Sequence, residues 1–333
     1  MSKPKVFVCR DIPEQGLIIV QNYCKADVWP GEIPPSREEL IAHIRDVDGL
    51  LCLLTDLIDQ EVIEAAGPQL KVISNHAVGF DNVDVKSATR LGIPVGNTPG
   101  ILTETTADFT FALIMATSRR LIEGHTCVRS GGWRTWGPKF LLGKDIFGAT
   151  IGIVGYGRIG QAVARRARGF NMKILYYDPD LTGNSDPASL GAQATSLEEL
   201  LRKSDFVTIH TPLNEQTYHM LDKKAFQKMK PDTILINTAR GGIVESEALY
   251  IALKEHSIAF AALDVTEPEP IPIESPLLEL DNLLITPHMA SASQATRGKM
   301  AEMAACNLIA GLRGERLPYC VNPEVYDTNH FKV

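Results

Sequence analysis

Along the first hundred residues, short apolar runs alternate with stretches in which apolar side chains recur every three or four positions. KVFVC, ADVW, GLLCLL, KVISN and IPVGN read as strands, and SREELIAHIRDV and DQEVIEAAG as helices between them. That order predicts βα units and a mostly parallel sheet. TETTADFTFALIMATSRRLIEGHTCVRSG then predicts one long helix crossing from one domain to another, with Thr103 as its N-cap and Glu104 in its first turn. After a loop rich in Gly and Trp, a second alternating series begins at TIGIVGYGRIG and runs through KILYYD, DFVTIHTP, TILINTAR, FAALDV and LLITPH. Its size suits a dinucleotide-binding domain. The final QATRGKMAEMAACNLIAGLRG has helical periodicity and is expected to return to the first domain, making that domain discontinuous. The Pro-rich TEPEPIPIESPLLEL reads as a rigid loop.

A length of 333 residues allows two domains, and 44% hydrophobic with 22% charged residues is a globular composition. A net charge of -7 leaves no broad basic footprint for nucleic acid, so an anionic ligand needs a local cation. The opening MSKPKVFVCRDIPEQG has too short an apolar run for a signal peptide, and no stretch is long enough to span a bilayer, so the expectation is a cytoplasmic protein with no membrane partner. Cys9, Cys24, Cys52, Cys127, Cys306 and Cys320 are widely separated and form no C-x-x-C pair, and are expected to be buried, reduced thiols. The histidines lack metal-ligand spacing, and no metal site is expected.

TIGIVGYGRIGQAVARRARGFNMKILYYD sets Gly155, Gly157 and Gly160 where a buried strand turns into a helix, with Asp178 ending the next strand. The first glycine suits a tight turn, the second lets a pyrophosphate approach the backbone, and the third allows close helix packing. The helix N-terminus then faces the phosphates. The ligand read from this pattern is a dinucleotide. Arg158 and Ile159 lie at the helix start, where Arg158 either adds a phosphate contact or stays solvated. Asp178 is placed to accept from ribose hydroxyls, and the following PDLTGN brings Asp180 but no arginine to neutralise a phosphate.

With these stretches go HAVGFDNVDV, GNTPGILTETTADFTFALIMATSRR, INTARGGIVE, LDVTEPEP and TPHMASAS, in this order over nearly the whole chain. Together they resemble the D-isomer-specific 2-hydroxyacid dehydrogenases, and the glyoxylate and hydroxypyruvate reductases in particular. The resemblance implies α/β architecture with two doubly wound parallel-sheet domains and a cleft between. A flavodoxin-like substrate domain would take residues 1–103 plus 288–333, and a Rossmann NAD-binding domain residues 104–287.

Reducing a 2-oxo acid needs a cation for the anionic substrate and an acid for the carbonyl oxygen. Arg240, directly after the strand TILIN, carries a fork suited to paired oxygens; the alternative is a structural arginine closing a turn. A histidine at a strand end, as in LLITPHMASAS, is commonly just a satisfied group, but the resemblance implies that His288 is the general acid. It also implies that Glu269 hydrogen-bonds that histidine, while Glu267 faces solvent; only the family register separates the two. Val78 and Gly79 match a loop whose backbone N–H groups hold the substrate carboxylate. Ser291 matches a substrate contact, and Trp136 either a substrate contact across a homodimer or a purely structural dimer contact. Thr106, His210, Thr211, Pro212, Thr238, Ala239 and Asp264 match positions that line the nicotinamide half of the cofactor site, and Arg240, His288 and Ala290 are also expected to contact the cofactor.

The chain departs from the usual family pattern at Thr266, Ala290 and Glu245, of which the first two bear on substrate preference. The function implied is NADH-dependent reduction of glyoxylate and hydroxypyruvate to glycolate and D-glycerate. The alternatives are an enzyme for another small D-2-hydroxy acid or phosphite, and a non-enzymatic NAD-sensing protein like the co-repressors that share the fold.

Overall fold

The protein is described by a computed structural model covering residues 2–179 and 187–327. The chain divides into two compact units, one of Met1–Leu102 with Ala292–Val333 and one of Thr103–Ser291. Among the described residues no helix is long and apolar enough to cross a membrane.

The first unit holds a five-stranded, all-parallel sheet of β1 (Lys5–Val8), β2 (Lys25–Val28), β3 (Gly49–Cys52), β4 (Val72–Asn75) and β5 (Val95–Gly96), in the order β2-β1-β3-β4-β5. β3 and β4 are buried along their whole length, as strands covered on both faces must be. The helix Gln294–Leu312 closes one face because its small residues let it come near: a Cβ on Gly16 of helix Glu14–Tyr23 would overlap the Ala301 carbonyl, and one on Gly311 would meet Val72 at 2.5 Å. The chain end is tied in by Asn322, whose Oδ1 accepts from the Val95 amide at 2.8 Å. This is the physical form of the discontinuity expected from sequence.

The second unit is built on a seven-stranded, all-parallel sheet: β6 (Thr150–Val154), β7 (Lys173–Tyr177), β8 (Ala192–Ala194), β9 (Phe206–Ile209), β10 (Ile234–Asn237), β11 (Phe260–Leu263) and β12 (Leu283–Ile285). Their order is β12-β11-β10-β9-β6-β7-β8, so the chain reverses direction across the sheet between β6 and β9. Strand alternation divides the core into two layers. Ile234 and Ile236 pack with Ile151, Phe206 and Phe111 on one face, and Leu235 packs with Val207, Leu249 and Leu263 on the other. Each such fully buried side chain contributes about 1.5–3 kcal/mol.

Three expectations are corrected. The single long helix after residue 102 is two helices, Thr103–Ser118 and Leu121–Arg129, with Arg120 at φ 51° between them. Its periodicity continues, but the segment at Gly143 and Lys144 caps the first helix through the Lys144 amide and Ser118 carbonyl, 2.8 Å apart, and that contact is non-local. The return to the first unit falls after Ser291 instead of before His288, because Asp264 holds residues 288–290 to the second unit. The six cysteines are free, but only Cys9, Cys24 and Cys52 are buried, and Cys306 is exposed.

Candidate active site

Strands of a parallel sheet deliver their carboxyl ends to one edge, where α/β ligands bind. In the second unit β6 ends at Val154 and turns through Gly155, whose φ of 89° suits glycine. A Cβ there would stand 2.6 Å from the His210 carbonyl carbon and the Thr211 amide nitrogen. A Cβ on Gly160 would overlap the Gly155 carbonyl oxygen. Gly157, by contrast, faces open space: nothing lies within 4 Å of where its Cβ would be, and it begins helix Arg158–Gly169 without a side-chain cap. Uncapped amides at a helix start beside a bare backbone form a cradle that fits a pyrophosphate. Arg158 is exposed and Ile159 half-buried in the first turn. At the end of β7, Asp178 Oδ2 accepts from the Tyr156 amide at 2.7 Å, so the acid read from sequence is drawn to the glycine loop. Asp180 lies outside the described residues.

β9 leads into His210, Thr211 and Pro212. Burial holds the His210 imidazole down at about 3, and its Nε2 pairs with Thr208 Oγ1 at 2.8 Å, leaving this part of the edge without a histidine charge. Thr106 and Thr110 are buried on helix Thr103–Ser118, and Thr110 reaches the end of β10, where its Oγ1 lies 3.2 Å from Thr238 Oγ1.

After β10 the buried Asn237 shapes the turn that carries Arg240. Its Oδ1 accepts from the Ala239 amide at 3.0 Å and its Nδ2 donates to the Arg240 carbonyl at 2.9 Å. After β11, the buried Asp264 accepts from Thr286 Oγ1 at 2.6 Å, from the Met289 amide at 2.9 Å and from the Ala290 amide at 2.7 Å. Asp264 thereby holds the turn after β12 in which His288 takes φ 50°. His288 Nδ1 meets Glu269 Oε1 at 2.6 Å. Burial pushes the Glu269 carboxyl up, but the bond to His288 and its charge, the Thr266 amide and the charge of Arg240 together hold it below the usual carboxylate range. The charges of His288 and Arg240 thus both bear on Glu269. Ala290 is buried and Ser291 half-buried just beyond.

In the first unit, Val78 and Gly79 follow β4 at the carboxyl edge of its sheet. Three consecutive carbonyls are tied back: Ala77 to the Thr98 amide at 2.9 Å, Val78 to Asn97 Nδ2 at 2.8 Å and Gly79 to Asn75 Nδ2 at 3.0 Å. With the oxygens turned inward, the amides of Val78 and Gly79 find no hydrogen-bond acceptor among the described residues. Such paired amides favour an anion.

Sequence reading missed Asn75, Asn97 and Asn237, the braces of these turns; the available signal was an Asn at or just after the end of three apolar strands. Glu267 is also corrected. It does not merely face solvent but accepts from His219 Nε2 at 2.7 Å, a pairing across 48 residues that no local pattern encodes. Trp136 is 77% exposed. Among the described residues no group of three or more His, Cys, Asp or Glu could hold a metal ion.

The family model for the D-isomer specific 2-hydroxyacid dehydrogenase NAD binding domain matches residues 111–290. A glyoxylate reductase of Korarchaeum cryptofilum is 54% identical over 324 residues, covering 97% of each chain. Among solved structures, a protein of Thermus thermophilus is 44% identical with a TM-score of 0.89 over 95% of this chain and 99% of that one. An NADPH-dependent glyoxylate/hydroxypyruvate reductase of Sinorhizobium meliloti, solved with NADP and malonate, is 30% identical with a TM-score of 0.84 over 96% and 97% of the two chains. With a glycine cradle that fits a dinucleotide and this similarity along nearly its whole length, the chain belongs to the D-isomer specific 2-hydroxyacid dehydrogenases and is an NAD-dependent oxidoreductase.

Proposed function

We propose that the protein reduces glyoxylate to glycolate, and hydroxypyruvate to D-glycerate, with NADH as the preferred cofactor. The observation that carries this reading is the His288–Glu269 pair at 2.6 Å under the charge of Arg240, in a chain 54% identical to a glyoxylate reductase. NADH, when bound in the glycine cradle, supplies the hydride.

The chain's own residues do the rest. Arg240 grips the substrate carboxylate and carbonyl oxygens with two parallel bonds and draws electron density from the carbonyl carbon. The amides of Val78 and Gly79 take the carboxylate. As the carbonyl carbon is reduced, the proton on His288 Nε2 passes to the carbonyl oxygen, giving the alcohol, while Glu269 on Nδ1 keeps the ring oriented and stabilises its charged form. Thr238, Ala239, Thr211, Pro212, His210, Thr106, Asp264 and Ala290 surround the nicotinamide half, with Ile159, Arg158 and the three glycines toward the phosphates. Asp178 accepts from the adenosine ribose hydroxyls and repels a 2′-phosphate. Ser291 contacts the substrate.

A homodimer is part of the reading. Ile122, Val128, Trp133, Trp136, Leu142 and Phe147 leave large apolar side chains exposed within one stretch of chain, as a surface awaiting a second copy does. Sedimentation as a monomer at micromolar concentration would remove this element.

The deciding experiment is a panel of 2-oxo acids with NADH and NADPH at moderate salt. Saturable turnover of glyoxylate and hydroxypyruvate is expected to lead the panel. Faster turnover of another small 2-oxo acid would reassign the substrate. NADH binding without turnover of any member would return the protein to the NAD-sensing class.

A further inference from the structure

The second unit contains a second His–Glu pair, two residues from Glu269 along the chain. His219 Nε2 lies 2.7 Å from Glu267 Oε2, each side chain about one-third exposed. The Tyr218 ring stacks on the imidazole with centroids 3.9 Å apart. His219 belongs to a segment laddered onto the turn that follows Arg240: its amide donates to Gly242 at 2.8 Å, and the Leu221 amide to Ile243 at 3.1 Å. The acid loop is tight against the same turn, since a Cβ on Gly241 would overlap the Thr266 carbonyl. Ser246 Oγ donates to the Glu267 carbonyl at 3.2 Å. Within the loop the Thr266 amide reaches Glu269 Oε2 at 3.3 Å, and Glu269 in turn meets His288.

We infer that His219, by latching Glu267, is a positioning residue for the reaction: it clamps the loop bearing Glu269 to the turn bearing Arg240, so that carboxylate, imidazole and guanidinium keep a common geometry. The inference rests on the reaction proposed above. A partly exposed ion pair contributes only about 0–1 kcal/mol to stability, so stability is a poor account of this arrangement. Geometry is a better one, because a displacement of about 1 Å in a reacting constellation costs about 100-fold in rate. Without the latch, the loop keeps the Ser246 hydroxyl on the Glu267 carbonyl and the Gly241–Thr266 contact, both of which touch its backbone, but loses the tie from the Glu267 carboxylate to the ladder beside Arg240.

The test uses the full chain and glyoxylate saturation kinetics, with NADH affinity read by fluorescence. His219→Ala is expected to lower kcat by about 10- to 100-fold while the NADH Kd stays within about twofold. His219→Gln, which keeps a donor toward Glu267, should recover most of the rate, and Glu267→Ala should match His219→Ala. In a Glu269→Ala background His219→Ala should cause no further loss, because the latch acts through Glu269. The His288 ring resonances in NMR should move in His219→Ala in the same direction as in Glu269→Ala, whether or not glyoxylate is the substrate. The latch is overturned by an unchanged kcat, by an equal loss in the Glu269→Ala background, by collapse of NADH binding, or by unmoved His288 resonances. A wild-type chain inert toward glyoxylate would instead count against the substrate assignment, and the resonances would still decide the latch.

Discussion

The turns after β10, β11 and β12 and the loop after β4 all sit at the carboxyl ends of parallel strands, yet the two sets are built on opposite principles. The former display charged side chains, Arg240, Glu269 and His288, and bury their braces, Asn237 and Asp264. The latter offers backbone amides, its carbonyls pulled in by Asn75, Asn97 and Thr98 so that the Val78 and Gly79 amides point elsewhere. The difference teaches where each kind of damage should appear. Side chains that polarise and protonate act on the transition state, whereas fixed amides that hold a carboxylate act on substrate and transition state alike. Changes in the charged turns should therefore fall on kcat, and changes around the β4 loop on KM.

The largest effect is expected at His288. His288→Asn keeps a polar group but no transferable proton, and should lower kcat about 10²- to 10⁴-fold with NADH affinity nearly intact; steady-state turnover within a few-fold of wild type would remove His288 as the acid. Arg240→Lys replaces a two-pronged grip by a point charge and should cost about 10- to 100-fold in kcat/KM, from a lost charge-assisted bond of about 1.5–3 kcal/mol. If NADH affinity collapsed while kinetics with glyoxylate held, Arg240 would belong to the cofactor alone. The cofactor comparison comes next. With Asp178 braced at the glycine loop, kcat/KM for NADH should exceed that for NADPH by at least about tenfold, since two like charges at about 4 Å repel by about 4 kcal/mol at an effective dielectric of about 20 before screening. Asp178→Ser with Pro179→Arg should narrow the gap, and equal use of both cofactors by the wild type would contradict the assignment.

Asn75→Ala sharpens the contrast most directly. It removes the donors to the Gly79 carbonyl and to Asn82 Oδ1, at 3.0 and 2.9 Å, and should raise KM for glyoxylate about five- to tenfold with kcat little changed, from about 1–1.5 kcal/mol of lost hydrogen bonding. A fall in kcat with unchanged KM would erase the distinction between the two regions.

The smallest effect concerns stability, and each unit holds one relevant histidine. Burial lowers His76 to about 4 and His210 to about 3. Unfolded histidine titrates near about 6.5, so between these values the unfolded chain binds protons that the folded one refuses. Stability then rises with pH across that window and falls as pH drops below about 6.5, by up to about 1.4 kcal/mol per pH unit for each histidine. Urea midpoints at pH 7 and 5.5 check this: His210→Gln and His76→Gln should each flatten the dependence, and an unaltered slope in both would mean that neither ring stays neutral in the fold.

Local pattern was enough for every strand but the short edge strand β8 and for the turn chemistry at their ends, because hydrophobic period and glycine placement are properties of a few adjacent residues. Thus β6, the Gly155, Gly157 and Gly160 turn and Asp178 were legible from one stretch, and the family motifs pointed to Arg240, Glu269 and His288. The break at Arg120 was not legible, because helical periodicity runs through it and the contact at Ser118 comes from residues more than twenty positions away. Nor could Glu267 and Glu269 be separated by spacing, since both are acids beside prolines in one loop. Tertiary structure decided between them by bringing His288 to one and His219 to the other across 19 and 48 residues. Sequence by itself determined which segments form buried parallel strands and which residue types stand at their carboxyl ends. Which of those residues meet, and which buried Asn or Asp holds them there, was decided by tertiary packing, because hydrogen bonds between distant turns depend on strand order and register, which no local periodicity records.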